Sequence, residues 1–249
     1  MRLLSYNIRY GGSGREAPLA EVVRATAPDL VVLQEATRPD VVERIAAGAG
    51  LGAWGARPGH SLGFMSRVAP AHHEWHWPRS SRHAFLEIVP AGSRWRVFGV
   101  HLSAVHANWT ERRRARELRA LLEATEAQRA GCHVLAGDFN TLAPGESLEL
   151  KRLPPRLRPF VWLSGGTIRW HVVQIMLDAG YADACRTVGA GEGPAYTFPT
   201  WDPHLRLDYA FLPAACARHL ARCSVVSDLA AARRGSDHFP LLVELMPLA

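Results

Sequence analysis

The sequence predicts an α/β sandwich built on mixed sheets. Apolar runs of strand length alternate with amphipathic helical patterns in some places and adjoin other strands directly elsewhere. That mixture does not suit a purely parallel sheet. No linker divides the 249 residues and no short repeat recurs, so a single domain over residues 1–249 is expected. With 48% hydrophobic and 21% charged residues the chain can bury a sizeable core. No apolar run approaches the roughly 18 residues of a membrane span.

Leu3 to Ile8 reads as a strand ending at Asn7, and the chain enters this pattern at once, so no secretory leader is expected. Gly11-Gly12-Ser13-Gly14 lacks the Gly-Lys-Ser/Thr ending of a phosphate-binding loop and reads as a connection. Leu19, Val22, Val23 and Thr26 fall on one helical face, bounded by Pro18 and Pro28. Leu30 to Leu33 is a buried strand ending at Gln34-Glu35, and Val41, Val42 and Ile45 mark a second helix.

Leu62 to Met65 reads as a short strand within a glycine-rich stretch. Ala84–Val89 and Trp95–Val100 read as a strand pair, the second delivering His101. Thr110 can cap a helix carrying Arg112, Arg113, Arg114, Arg116 and Arg119. Cys132 to Ala136 is an apolar strand that runs into Gly137-Asp138-Phe139-Asn140. Strand alternation would turn Asp138 and Asn140 one way and Phe139 into the core. Residues 141–169 read as irregular, Ile168 to Ala179 as a helix, and Tyr196–Phe198, Leu207–Leu212, Ser224–Val226 and Leu241–Leu245 as late strands.

Cys132, Cys185, Cys216 and Cys223 form no C-x-x-C pair, which argues against a zinc site. They are sparse for a disulfide scaffold and read as reduced, mostly buried thiols, with a cytoplasmic location. The net charge of +6 suits an anionic partner. Lys151 is the only lysine, however, and arginine excess beside abundant Ala and Gly also fits GC-rich coding.

Six strand tips carry a reactive polar residue: Asn7, Glu35, His101, Asp138 with Asn140, Asp208, and Asp237-His238. Singly, Asp138 with Asn140 reads as a turn or cap, Glu35 as a solvated loop residue and His101 as a satisfied core histidine, whereas Asp208 inside an apolar run needs a partner. Together they supply carboxylates and an amide for a hard cation such as Mg²⁺ or Mn²⁺. They also supply two imidazoles for proton transfer and an Asp that could orient one of them. Phosphoryl chemistry needs that combination.

In this order, Asn7, Gln34-Glu35, His101-Leu102, Gly137-Asp138-Phe139-Asn140, Arg206-Leu207-Asp208-Tyr209 and Ser236-Asp237-His238 resemble the endonuclease/exonuclease/phosphatase superfamily. The resemblance spans residues 3 to 245. It implies a four-layer α/β/β/α sandwich with the site at one edge of two packed mixed sheets. It also implies a divalent metal, Mg²⁺ or Mn²⁺, on Glu35 with Asn7, and a supporting Asp237. Asp138 would position the attacking water, Asn140 would donate to a phosphate oxygen, and His238, oriented by Asp208, would be the general base or a phosphate-binding imidazolium. His101 would act on the leaving-group side. In DNase I-like members a Glu pairs with that histidine; here His83 stands at the matching position, which leaves the partner of His101 open.

The resemblance specifies the reaction better than the substrate. The arginine-rich helix 111–119 could follow a phosphate backbone. The segment Lys151 to Trp170 interleaves Arg152, Arg156, Arg158 and Arg169 with Phe160, Trp162 and Trp170, which suits base stacking, a membrane surface or simply packing the loop down. Arg233-Arg234 could steer any anionic substrate. A metal-dependent phosphodiesterase acting on DNA or RNA, expected as a monomer, is the leading reading. A lipid-headgroup or inositol-phosphate esterase is the second, and a weakly catalytic nucleic-acid-binding module the third.

Overall fold

The structure is a computed structural model that describes residues 1–79, 81–126, 131–153, 155, 158–188 and 195–248. Two six-stranded sheets carry the molecule. The first consists of β1 (Arg2–Asn7), β2 (Leu30–Gln34), β3 (Ala53–Gly55), β4 (Gly63–Ser66), β11 (Leu220–Val225) and β12 (Leu241–Leu245), in the order β11-β12-β1-β2-β4-β3. The second consists of β5 (His72–His76), β6 (Phe85–Val89), β7 (Arg96–His101), β8 (His133–Asp138), β9 (Tyr181–Asp183) and β10 (Asp208–Pro213), in the order β5-β6-β7-β8-β10-β9. Each sheet holds one parallel pair, β1–β2 and β7–β8, among antiparallel neighbours, so both are mixed.

Alternation along β1 shows how the layers form. Leu4 and Tyr6 pack on α1 (Glu16–Thr26) and α2 (Pro39–Ala49), with α7 (Ala230–Gly235) beside them. Leu3 turns the other way and joins Val32, Phe64, Leu86, Val97, Val134 and Ala210 in an apolar layer between the sheets. On the far side, Phe98, Leu135 and Phe211 meet α3 (Asn108–Ala124) and α5 (Val172–Asp178). The result is the four-layer α/β/β/α sandwich.

Register places the strand tips together. Asn7 lies opposite Gln34, His101 opposite Asp138, and Asp138 opposite Asp208. The glycine before Asp138 has a steric cause. A Cβ on Gly137 would lie 1.8 Å from the Val100 carbonyl oxygen on the neighbouring strand. No larger residue fits there without moving β7 from β8.

Several sequence expectations need correction. The cysteines are bridged, Cys132 to Cys216 and Cys185 to Cys223, and none is free. Their sparseness in sequence concealed contacts that only the sheet topology creates. The helix expected over Ile168–Ala179 spans Val172–Asp178. Ile168 and Trp170 pack instead against Leu142, Leu153, Val161, Leu205 and Leu207. Tyr196–Phe198 forms one bridge, Phe198 to Leu205, rather than a strand. Residues 141–169 include the short helix α4 (Arg158–Leu163). Strand β5 was not expected because His72-His73-Glu74-Trp75-His76 is an exposed edge sequence without an apolar run. Thr110 is not the cap of α3; it sits one turn in and accepts the Ala107 N–H at 3.2 Å.

Candidate active site

Asp138 ends β8, and its two oxygens do different things. Oδ1 accepts the Asn140 N–H at 2.8 Å, closing a turn that holds Asn140 at φ 51°. Oδ2 accepts from Asn7 Nδ2 at 3.0 Å and faces the site. Phe139 is fully buried, as alternation requires. Asn140 Nδ2 donates to the Leu102 carbonyl at 3.1 Å, which ties the turn to the β7 tip.

Two imidazoles converge on Asp138 Oδ2. His101 Nε2 lies 3.8 Å away and His238 Nε2 3.9 Å away. Their other nitrogens have different partners. His238 Nδ1 meets Asp208 Oδ2 at 2.8 Å. Burial alone would lower the His238 pKa, but the Asp208 and Asp138 carboxylates outweigh it and raise it to about 10. Burial, with the His83 and His238 charges adding, takes His101 down to about 3. Burial raises Asp138 above the usual carboxylate range, against the opposing pull of His238. At neutral pH the site therefore holds a charged imidazole, a neutral imidazole and a carboxylate with raised proton affinity. Environments that push neighbouring groups apart in this way separate donors from acceptors.

The carboxylate of Glu35 is next to this group. Asn7 Nδ2 bridges Glu35 Oε1 (3.4 Å) and Asp138, and Glu35 Oε2 accepts the Tyr10 N–H at 2.5 Å. Glu35 itself is left-handed at φ 57°, a conformation that costs of order 1–3 kcal/mol for a residue with a Cβ. Asp237 is engaged elsewhere: its Oδ2 lies 3.3 Å from Arg9 Nε. Ser236, between these groups, donates its hydroxyl to the Asn7 carbonyl at 2.6 Å and accepts the His238 N–H at 3.2 Å. Asn7, Glu35, His101, Asp138, Asn140, Asp208 and His238 thus form one connected cluster at the sheet edge.

The donors fit a hard cation. They are carboxylate and amide groups, and all four cysteines are bridged. Ligand atoms of Asp138, Asp208 and His238 lie within 4.8 Å of one another. The Asp208–His238 contact already uses that space for a proton. The Glu35 carboxylate, half-buried beside Asn7, lies next to this group.

Sequence reasoning missed Ser61 and left the role of His83 open. Ser61 bonds to His101 Nδ1, and the His83 ring stacks on His101 at 5.4 Å with planes 12° apart. His83 thus reaches the histidine it was aligned with, by ring contact. Arg114, counted with the basic face of α3, is fully buried and paired with Glu111 at 2.9 Å. Arg156 lies outside the described residues.

Fold and site together define a phosphoester hydrolase built on a DNase I-like sandwich. The family model described as Endonuclease/Exonuclease/phosphatase matches residues 4–238, and the chain belongs to that family. Among solved structures, a 3′ phosphatase from Neisseria bound to product DNA hairpin superposes with TM-score 0.71 at 22% identity, covering 98% of this chain and 99% of that one. An AP endonuclease from Archaeoglobus fulgidus gives 0.71 at 16% identity, over 98% and 99% of the two chains. A humanized D. rerio TDP2 gives 0.66 at 19%, over 98% and 97%. No curated protein matches the sequence significantly.

Proposed function

We propose that this chain is a divalent-metal-dependent phosphodiesterase acting on nucleic acid, with residues 1–249 as one catalytic domain. The observation that carries this reading is the convergence of His101 Nε2 and His238 Nε2 on Asp138 Oδ2. A phosphate placed there meets donors of opposite protonation behaviour and a carboxylate able to take a proton. Asp138 accepts the proton of the attacking water, and its raised pKa makes it a better base than an ordinary aspartate. His238, kept charged by Asp208, donates to a phosphate oxygen, and the second proton of the Asn140 amide does the same. His101 donates a hydrogen bond on the leaving-group side. Asn7 and Glu35 would hold Mg²⁺ or Mn²⁺, which supplies Lewis acidity toward phosphate oxygens. Asp237, held by Arg9, supports the loop that carries His238.

Nucleic acid is favoured over other phosphoesters by the net charge of +6 and by exposed Arg112, Arg113, Arg116 and Arg119 on α3. Exposed Trp201, next to Phe198 and through it His238, offers a stacking face beside the site. The Neisseria 3′ phosphatase was solved with a DNA hairpin, which agrees with this choice. A second reading, a lipid-headgroup esterase, is favoured by Trp162 and Leu163, 74% and 64% exposed on α4. No helix among the described residues is long and apolar enough to cross a membrane. Paired cysteines fit an oxidising compartment better than the cytoplasm anticipated from cysteine count.

The test is a panel of plasmid DNA, RNA, lipid headgroups and inositol phosphates with Mg²⁺ or Mn²⁺. Nucleic acid should be cleaved, EDTA should abolish turnover, and Asp138→Asn or His238→Ala should lower kcat by about 10²–10⁴. Full activity in EDTA would overturn the mechanism. Turnover of headgroups alone would move the assignment to the second reading.

A further inference from the structure

Ser61 stands in the connection between β3 and β4, and three contacts fix it. Its carbonyl accepts the Ala36 N–H at 2.8 Å, and its Oγ accepts the Glu35 N–H at 3.3 Å. The same Oγ is bonded to His101 Nδ1. A serine hydroxyl has one proton and two lone pairs. With one lone pair taken by the Glu35 amide, the proton is free to point at His101 Nδ1. The other end of the ring gives the same answer. His101 Nε2 faces Asp138 Oδ2 at 3.8 Å, where a lone pair would meet a carboxylate and an N–H is attracted to it. Stacking on His83 holds the ring plane but engages neither nitrogen.

We propose that Ser61 is a positioning residue that fixes His101 as the neutral, Nε2-protonated tautomer and couples it to the backbone of Glu35. The inference rests on the proposed function for the claim that His101 faces the phosphoester; the tautomer itself does not depend on it. A carboxylate at this position would favour a charged ring, because it would stabilise the imidazolium. A hydroxyl brings no such charge. His101 therefore offers a hydrogen bond from Nε2 without giving up a proton, and of the two imidazoles the charged donor is His238. Ser61 also links the two halves of the chemistry. One oxygen sets the tautomer on the leaving-group side and anchors the amide of the residue that would bind the metal. A partner that orients a functional side chain in this way is worth about 10–100-fold in activity.

Ring-nitrogen NMR on the ¹⁵N-histidine protein without substrate tests this directly, with His101 assigned by its loss in the His101→Gln spectrum. The wild type should show the neutral Nε2–H pattern near neutral pH. Ser61→Ala should show exchange between tautomers and lose about 10–100-fold in kcat with KM little changed. Ser61→Thr, which keeps the hydroxyl, should restore both. Ser61→Asp should move His101 toward the imidazolium pattern. An Nδ1–H or imidazolium pattern in the wild type would overturn the proposal, as would a Ser61→Ala protein unchanged in both spectrum and kcat. If Ser61→Ala fails to fold, the wild-type and Ser61→Thr spectra still decide the tautomer. A correct tautomer in a protein that cleaves no phosphoester would refute the proposed function and leave the positioning role standing.

Discussion

His106 shows how burial and charge act on a single residue. It lies between β7 and α3, 5% exposed, with its ring edge-on to Trp170. Its Nδ1 has no hydrogen-bond partner among the described residues. Burial, then the positive charges of Arg114 and His238, lower its pKa to about 3. A folded-state pKa below the unfolded value means stability that is present above about pH 6.5 and is lost as pH falls toward about 3. In that window the unfolded chain binds a proton that the native chain refuses. His106 alone should cost about 1.4 kcal/mol per pH unit there. In His106→Gln the slope of unfolding free energy against pH, measured by urea titration, should shrink by one proton. An unchanged slope would mean the ring is charged in the native state. Neither His106 nor Ser61 could be picked out of the sequence, because both sit on connections with no periodic pattern around them. Asp138, Asp208 and His238 could, because a polar group at the end of an apolar run needs a reason to be there.

At the scale of elements, α3 is the clearest case. Its sequence looks like a basic stripe, yet Glu111, Arg114, Ala115, Leu118, Leu121 and Leu122 are buried while Arg112, Arg113, Arg116 and Arg119 are exposed. Helical spacing already separates the two sets; counting arginines hid it. Glu111 accepts from Thr141 Oγ1 and from the His171 and Val172 N–H groups, and Arg114 donates to the Ser103 and Val105 carbonyls. The pair therefore fastens α3 to the residue after Asn140, to the start of α5 and to the loop after His101. Removing the cation leaves a buried carboxylate short of its partner. Arg114→Met should destabilise by about 3–5 kcal/mol in urea unfolding. Adding Glu111→Gln should recover part of that loss, since the remaining donors can still be met by an amide oxygen. A single variant within 1 kcal/mol of wild type, about the worth of a surface pair, would show that packing alone holds the helix.

For the whole molecule, the mixed α/β sandwich was visible in the sequence, because apolar strands adjoin in some places and alternate with helices in others; the four layers were implied by the family resemblance, and the strand order came only with the structure. The bridges were not visible in the sequence either. Sequence separations of 84 and 38 residues carry no pairing information. Proximity is created by β10 returning beside β8 and by β11 crossing to the other sheet. Cys132 precedes β8 at the end opposite Asp138, so its bridge is remote from the strand tips that form the candidate site. Cys185 in α6 (Ala184–Val188) follows β9 of one sheet, while Cys223 is in β11 of the other, so this bridge ties the two sheets together. Each closes a long loop in the unfolded chain and should contribute about 2–4 kcal/mol. At about 2–4 °C per kcal/mol for a domain of this size, reduction should lower the melting temperature by several degrees per bridge. Activity measured well below that temperature should persist, because neither bridge touches the candidate site. Paired Cys132→Ser/Cys216→Ser and Cys185→Ser/Cys223→Ser variants should each reproduce part of the shift seen with reductant. Titration of four free thiols in the native protein, or a melting temperature indifferent to reductant, would refute the pairing, and the case for an oxidising compartment would fall with it.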